Sequence, residues 1–171
     1  MPMDSAKLSA RLRQPGSDRT FRASEANFIK AAKLILEPSF VVTANPVDLK
    51  TVFKSETAND LGINPEASIT SPRTKRTFFV EVKKQGSRGN AEERAAKHHT
   101  VQFYKTLSNV YGYTYHPYVT IFCESLATLP RYTTKFAHLY EPDQYFLWVD
   151  YNLEPLRNYL IERCAAWLED E

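Results

Sequence analysis

The spacing of apolar residues changes near residue 65, and that change restricts the chain to folds that mix helices with sheet. Upstream, EANFIKAAKLILE (25–37) places Phe28, Ile29, Ala32, Ile35 and Leu36 at helical spacing, with Ser24 as a cap and Pro38 as a stop. SFVVTA then has the composition of a short strand, and Asn45-Pro46 opens a shorter helix through DLKTVFK. Downstream, EASIT and TFFVEVK are short β-prone runs separated by SPRTKR, a segment of turn-formers and charges, and together they predict a hairpin. KKQGSRGN leads into a long helix expected from about residue 91 to 111 and stopped near Gly112. PYVTIFCES and YFLWVDY are apolar runs of strand length, and Asn152 caps a final helix that turns Leu156, Leu160 and Trp167 inward. Helix, strand, short helix, hairpin, helix, strand, strand, helix is the order of an α/β fold, a central mixed β-sheet flanked by helices.

At 171 residues the chain has the length of one domain. Residues 1–20 are polar and basic, with Pro15, Gly16 and Ser17 in sequence, and read as a flexible basic arm before a single domain over 21–171. No stretch approaches the roughly 18 apolar residues of a membrane helix, and the basic start has no apolar segment behind it, so a cytoplasmic protein with no membrane partner is expected. Cys123 and Cys164 lie in apolar surroundings and form no C-x-x-C pair, which points to buried free thiols rather than a disulfide framework or a zinc site. The net charge of +2 hides a segregation. Residues 72–105 hold nine Lys or Arg against three Glu, whereas residues 137–171 hold two Arg against eight Asp or Glu. Such a division leaves one face suited to a polyanion, because Lys and Arg contacts to phosphate supply most non-specific DNA affinity.

Glu81-Val82-Lys83 is the segment richest in chemistry. Alternate strand residues share a face, so Glu81 and Lys83 project together while Val80 and Val82 point to the opposite, packed side. Glu66 begins the preceding strand, and pairing across the SPRTKR turn can bring its carboxylate beside that of Glu81. Two carboxylates and the Val82 carbonyl form a hard, oxygen-only donor set suited to Mg²⁺. A divalent cation favours attack on an anionic phosphodiester by acidifying water and neutralising charge that builds on phosphate, and Lys83 can orient that water or stabilise the phosphorus centre.

Pro65-Glu66, a gap of 14 residues and Glu81-Val82-Lys83 resemble the signature of the PD-(D/E)xK nuclease superfamily: an acid after Pro, a variable gap, then an acid, any residue and Lys on the next strand. The resemblance implies a restriction-endonuclease-like core, Glu66 and Glu81 as metal ligands and Lys83 as the catalytic lysine. Members frequently carry an acidic residue on the first helix that reaches the metal, which implies the same for Glu25. By spacing, Glu25 shares the inward face of Ile29, Ala32 and Leu36; beside the Ser24 cap it would equally complement the helix dipole.

Gly89-Asn90-Ala91-Glu92-Glu93-Arg94 is similar to the G-N-A-x-E-R run that opens the recognition helix of the EcoRI-like restriction enzymes, and Lys83-Lys84-Gln85-Gly86 resembles the same branch. The resemblance implies that Asn90 and Arg94 read bases and that Ala91 lines the groove. Lys84, Gln85, Arg88 and Lys97 are expected at the same DNA surface. Asn offers adenine a bidentate match and Arg a fork for guanine or phosphate. Only five residues separate Lys83 from Gly89. A charged helix start in which Arg94 and Lys97 touch phosphate alone remains the other reading.

Other groups point less clearly to chemistry. His98 and His99 are adjacent and diverge by about 100° on a helix, so they are expected at DNA or on the helix surface rather than on one metal. RYTTK (131–135) reads as a solvated basic loop that could follow a phosphate backbone, and His138 as a loop residue. Taken together, the resemblance implies a Mg²⁺-dependent type II restriction endonuclease. It would cut duplex DNA to 5′-phosphate ends as a homodimer, with a possible cognate methyltransferase for the same site. Two alternatives stay open: a structure-specific nuclease of the same fold, and a non-catalytic nucleic-acid-binding module in which Glu81 and Lys83 are only an ion pair.

Overall fold

Aromatic and β-branched residues make TFFVEVKKQ the longest strand, and its pairing organises the rest. The computed structural model describes residues 21–57, 62–85 and 89–170, so the expected basic arm and Arg88 lie outside the described residues. Five strands, β1 (Val41–Ala44), β2 (Ala67–Thr70), β3 (Thr77–Gln85), β4 (Tyr118–Glu124) and β5 (Tyr145–Trp148), lie side by side in chain order. β1, β2 and β3 pair antiparallel, whereas β3, β4 and β5 run parallel. The expected hairpin is therefore present, and the sheet is mixed.

The first helix, α1 (Phe21–Leu36), begins three residues before the expected Ser24 cap. α2 (Asp48–Thr57) follows β1 as expected. The long helix between β3 and β4 is interrupted. It consists of α3 (Ala91–Ala95), a 3₁₀ turn (Ala96–His99) and α4 (Val101–Tyr111). Thr100 breaks it with an extended backbone, and its hydroxyl accepts from Phe103 N as the cap of α4, a local bond that competes with helix continuation. Gly112 ends α4 at φ 69°, a left-handed conformation that favours glycine.

After β4 come α5 (Ser125–Thr128) and α6 (Pro130–Leu139). The RYTTK run and His138 are thus helical, not loop. Pro130 sits in the first turn, where it needs no N–H partner, and Tyr132, Phe136 and Tyr140 follow at four-residue steps into the core. The last strand also stops early: Val149–Tyr151 is a 3₁₀ turn, after which Asn152 caps α7 (Leu153–Arg163) as expected. α7 continues as a wider π turn through Cys164–Glu169.

Strand alternation divides the core. Val80, Val82, Val119, Ile121 and Cys123 pack beneath Phe28, Ala32, Leu156 and Leu160 of α1 and α7. The opposite face carries two smaller clusters, Phe79 and Tyr118 with Leu49 of α2 and Leu107 of α4, and Phe122 with Ala95, Tyr132 and Phe136. Glu81 emerges on that second face, between the two clusters. Both cysteines are buried and free, as expected. No helix among the described residues is long and apolar enough to cross a membrane.

Part of the charge segregation is resolved internally. Arg73 pairs with the Glu169 carboxylate at 2.6 Å, Thr74 Oγ1 donates to Leu168 O at 2.6 Å, and Arg76 bonds to Asp170 O. The basic turn and the acidic C-terminal segment therefore clasp each other, which removes Arg73 and Arg76 from the expected polyanion face.

Candidate active site

The site begins at the start of β2, with Glu66 one residue ahead of the strand rather than its first residue as expected. The register of β2 with β3 stops at Ala67 opposite Val80, while β3 continues for five more residues paired only with β4. The edge left open is closed by a side chain: Glu66 Oε2 accepts from Val82 N at 2.7 Å. In an extended strand the C=O of a residue points to the same side as its N–H, so the Val82 carbonyl faces this open edge too. Burial, and then the charge of Glu81, push the Glu66 carboxyl up to about 9, against the lowering effect of the Val82 N–H and Lys83.

Glu81 is buried, and Lys83 Nζ lies 2.5 Å from its Oε1. Burial opposes the Lys83 charge, but the adjacent Glu81 carboxylate outweighs it and holds Lys83 above its ordinary value. Tyr118 donates its hydroxyl to Glu81 Oε2 at 2.6 Å and is itself fully buried. Sequence reasoning missed Tyr118, because it lies 37 residues away and reaches Glu81 only through the parallel pairing of Phe79 with Tyr118.

A cavity of about 270 Å³ opens beside these groups, lined by Glu25, Val82, Lys83, Ala91, Arg94 and Lys97. It brings α1, β3 and the segment from Ala91 to Lys97 to one place. Glu25 also acts electrostatically on Glu66, so its position at the site accompanies its place on the first helical turns. A larger cavity of about 500 Å³, lined by residues that include His99, Tyr104, Glu141 and Asp143, has no residue of β3 in its lining, so contact with Val82 and Lys83, not size, ties the smaller cavity to the paired carboxylates.

The donors that could hold a cation are carboxylate and carbonyl oxygens. Among the described residues no group of three or more His, Cys, Asp or Glu is arranged to hold a metal ion, so Glu66 and Glu81 would need the Val82 carbonyl and water to complete a shell. That fits a hard divalent ion, which takes one or two carboxylates and keeps its other positions for water and phosphate. Two buried carboxylates acting on each other are also stabilised by a cation between them.

The sequence matches the family described as type II restriction enzyme MunI over residues 3–169. The chain belongs to this family. A MunI-family protein is a sequence-specific endonuclease, a hydrolase of a restriction system, and such enzymes generally use a divalent metal cofactor. A crystal structure of MunI restriction endonuclease in complex with cognate DNA is similar to the chain in fold, with a TM-score of 0.66 and 21% identity. The alignment covers 96% of this chain and 95% of that one. No curated protein matches.

The MunI-family chain places its expected DNA-facing residues unevenly. Asn90, Arg94 and Lys97 are exposed near the opening, and the Asn90 side chain makes no cap bond. Lys84 is not beside them: one residue from Lys83 in a strand means the opposite face, and its Nζ is buried. Gln85 shares the face of Lys83 but is buried, with its amide bonded internally. Ala91 is buried, with an edge bordering the cavity. His98 is buried rather than on the helix surface, stacked on the Tyr118 ring at 4.5 Å, and burial pushes it down to about 4.

Proposed function

We propose that this restriction enzyme hydrolyses duplex DNA with Mg²⁺ held by Glu66, Glu81 and the Val82 carbonyl, assisted by Lys83. The observation that carries the reading is the open edge of β3, where Glu66 takes the Val82 N–H and Glu81 pairs with Lys83. Mg²⁺ supplies charge neutralisation at phosphate and water of lowered pKa. The chain supplies the rest. Lys83 stays an ammonium at neutral pH and faces the charge that develops on the phosphate oxygens. Tyr118 fixes the orientation of Glu81, and Glu25 adds a third acid at the cavity. Water oxygen joins phosphorus, the P–O3′ bond breaks, and the products are a 3′-hydroxyl and a 5′-phosphate.

Asn90 and Arg94 read base edges and Lys97 meets phosphate, with Arg88 expected nearby. Each chain holds one such site, so cutting both strands at one place calls for a homodimer, which also suits a palindromic target. A restriction enzyme needs its host DNA protected, so a methyltransferase for the same site is its natural partner, and both act in the cytoplasm. Purified protein should cut unmethylated phage DNA into discrete fragments with Mg²⁺ and not with EDTA, and Glu81→Ala should remove the cutting. End-sequencing then gives the target and the 5′-phosphate. Cleavage that survives in Glu81→Ala would refute the assignment.

A further inference from the structure

Gln85 ends β3 on the face that carries Glu81 and Lys83, and both halves of its amide are used. Its Oε1 accepts from Ala91 N, the first residue of α3, at 2.6 Å. Its Nε2 donates to the hydroxyl of Tyr132 on α6 at 2.7 Å, and Tyr132 is fully buried. The first N–H groups of a helix have no intrahelical partner, and Asn90, at the cap position, does not supply one. Gln85 caps α3 in its place, which leaves the exposed Asn90 amide available to a ligand. Gln is suited to this double task, since it has one donor and one acceptor end on a side chain longer than that of Asn, whereas Glu has no N–H to give Tyr132.

Two further observations tie the same joint. Gly89 has φ +125°, and a Cβ there would lie 2.9 Å from Gln85 Oε1, so the chain crosses the amide at a distance only glycine allows. α6 and the residue that caps its end also grip α3 beyond its first residue, through Lys135 Nζ to Glu92 Oε1 at 3.2 Å and the Tyr140 hydroxyl to Glu92 O at 2.9 Å.

We propose that Gln85 is the positioning residue that holds the recognition turn, residues 89–94, in register with the catalytic strand, so that site discrimination depends on it although it touches no base. The inference rests on Asn90 and Arg94 reading bases. Base-edge hydrogen bonds are lost when the turn shifts by an ångström, whereas contacts to phosphate tolerate the shift. Releasing the joint therefore harms cleavage at the correct site more than at near-matches.

The test is the ratio of cleavage rates at the preferred site and at duplexes differing by one base pair, with Mg²⁺, for Gln85→Ala, Gln85→Glu and Tyr132→Phe, alongside thermal unfolding. Gln85→Ala should lower the ratio on the order of tenfold, as expected for loss of a buried hydrogen-bonded joint. Tyr132→Phe should lower it several-fold, and Gln85→Glu, which can accept from both Ala91 N and the Tyr132 hydroxyl, should recover part of it. A purely packing role would depress both rates and the melting temperature while leaving the ratio unchanged, and that result would overturn the proposal. Should Gln85→Ala not fold, Tyr132→Phe decides. Asn90→Ala and Arg94→Ala separate the two readings: an unchanged ratio there removes base reading and the joint with it, whereas a changed ratio there with none in the Gln85 and Tyr132 variants removes the joint alone.

Discussion

The two halves of β3 obey different rules. From Thr77 to Val80 the strand is paired with β2, at Phe79 and Val80 with β4 as well, and Phe78, Phe79 and Val80 are buried in apolar clusters. From Glu81 to Gln85 it is paired on one edge only, and one of its faces carries the polar side chains of Glu81, Lys83 and Gln85. The first half is ordinary sheet that sets position; the second spends its free edge and polar face on a site. The comparison teaches that the site lies where the ladder stops, because backbone groups released from β2 and two buried carboxylates are then available together.

The sharpest way to break this contrast is to substitute the polar half. Glu81→Ala and Lys83→Ala should each reduce cleavage by roughly 10²- to 10³-fold or more, the scale seen when one preorganised charge-stabilising group is removed. Single-turnover assays on a defined duplex check this, and gel-shift affinity should survive. Cleavage within tenfold of the parent would show that the open edge is not the reacting edge.

The complementary substitution lies in the paired half. Phe78 is fully buried and packs edge-on to Trp167 at 5.5 Å. Phe78→Ala should cost about 3–5 kcal/mol of folding free energy by denaturant titration, from lost transfer energy and the cavity left behind. Below its melting temperature the folded fraction should keep its site preference. A changed preference would mean that the two halves are not separable.

The contrast also has a pH signature in the metal-free protein. The Glu66 carboxyl is pushed from 4.5 up to about 9, so between these values the folded state holds a proton that the unfolded state has lost. Stability then falls as pH rises through that window and levels above it. Buried His98 and His99 act in the opposite sense: depressed to about 4 and about 3, they lower stability as pH falls below 6.5. Among the described residues the Glu66 effect stands apart from about pH 7 to 8, above the histidines, His116 included, and below the range in which the buried Cys123 and Cys164 thiols, also pushed up, add a fall of their own. In EDTA, melting temperature should decline across that range in the parent and flatten in Glu66→Gln, and adding Mg²⁺ should reverse the decline. A parallel profile in both proteins would show that Glu66 is not the group concerned.

What could be read from the sequence follows from the same contrast. Local alternation places Glu81 and Lys83 on one face and turns Val80 and Val82 away, so the hairpin, the acid pair and the lysine were legible. The same alternation puts Lys84 on the far face, a parity that the resemblance in lettering obscured. α6 was hidden because Thr133, Thr134 and Lys135 dilute the four-residue repeat of Tyr132, Phe136 and Tyr140. The break at Thr100 needs the buried packing of His98 against Tyr118 to be known. Tyr118 with Glu81, and Gln85 with Tyr132, are contacts 37 and 47 residues apart, and only the parallel order of β3 and β4 brings their partners together.

The smallest effect separates cations held within the fold from the cation proposed to meet DNA. Arg73 and Lys97 both lie in the basic segment of the sequence, yet Arg73 is spent on Glu169 and the Glu169 carbonyl, whereas Lys97 lines the cavity at the site. More than half of the Arg73 side chain is exposed, so Arg73→Ala should cost only about 0.5–1 kcal/mol of stability, as exposed ion pairs do. It should leave the salt dependence of DNA binding as it was. Lys97→Ala should reduce the slope of log affinity against log salt by about 1, the effect of one phosphate contact, with little change in site preference. Equal slopes for both variants would return Arg73 to the polyanion face, and the division of β3 into a structural and a reactive half would then stop short of the turn that precedes it.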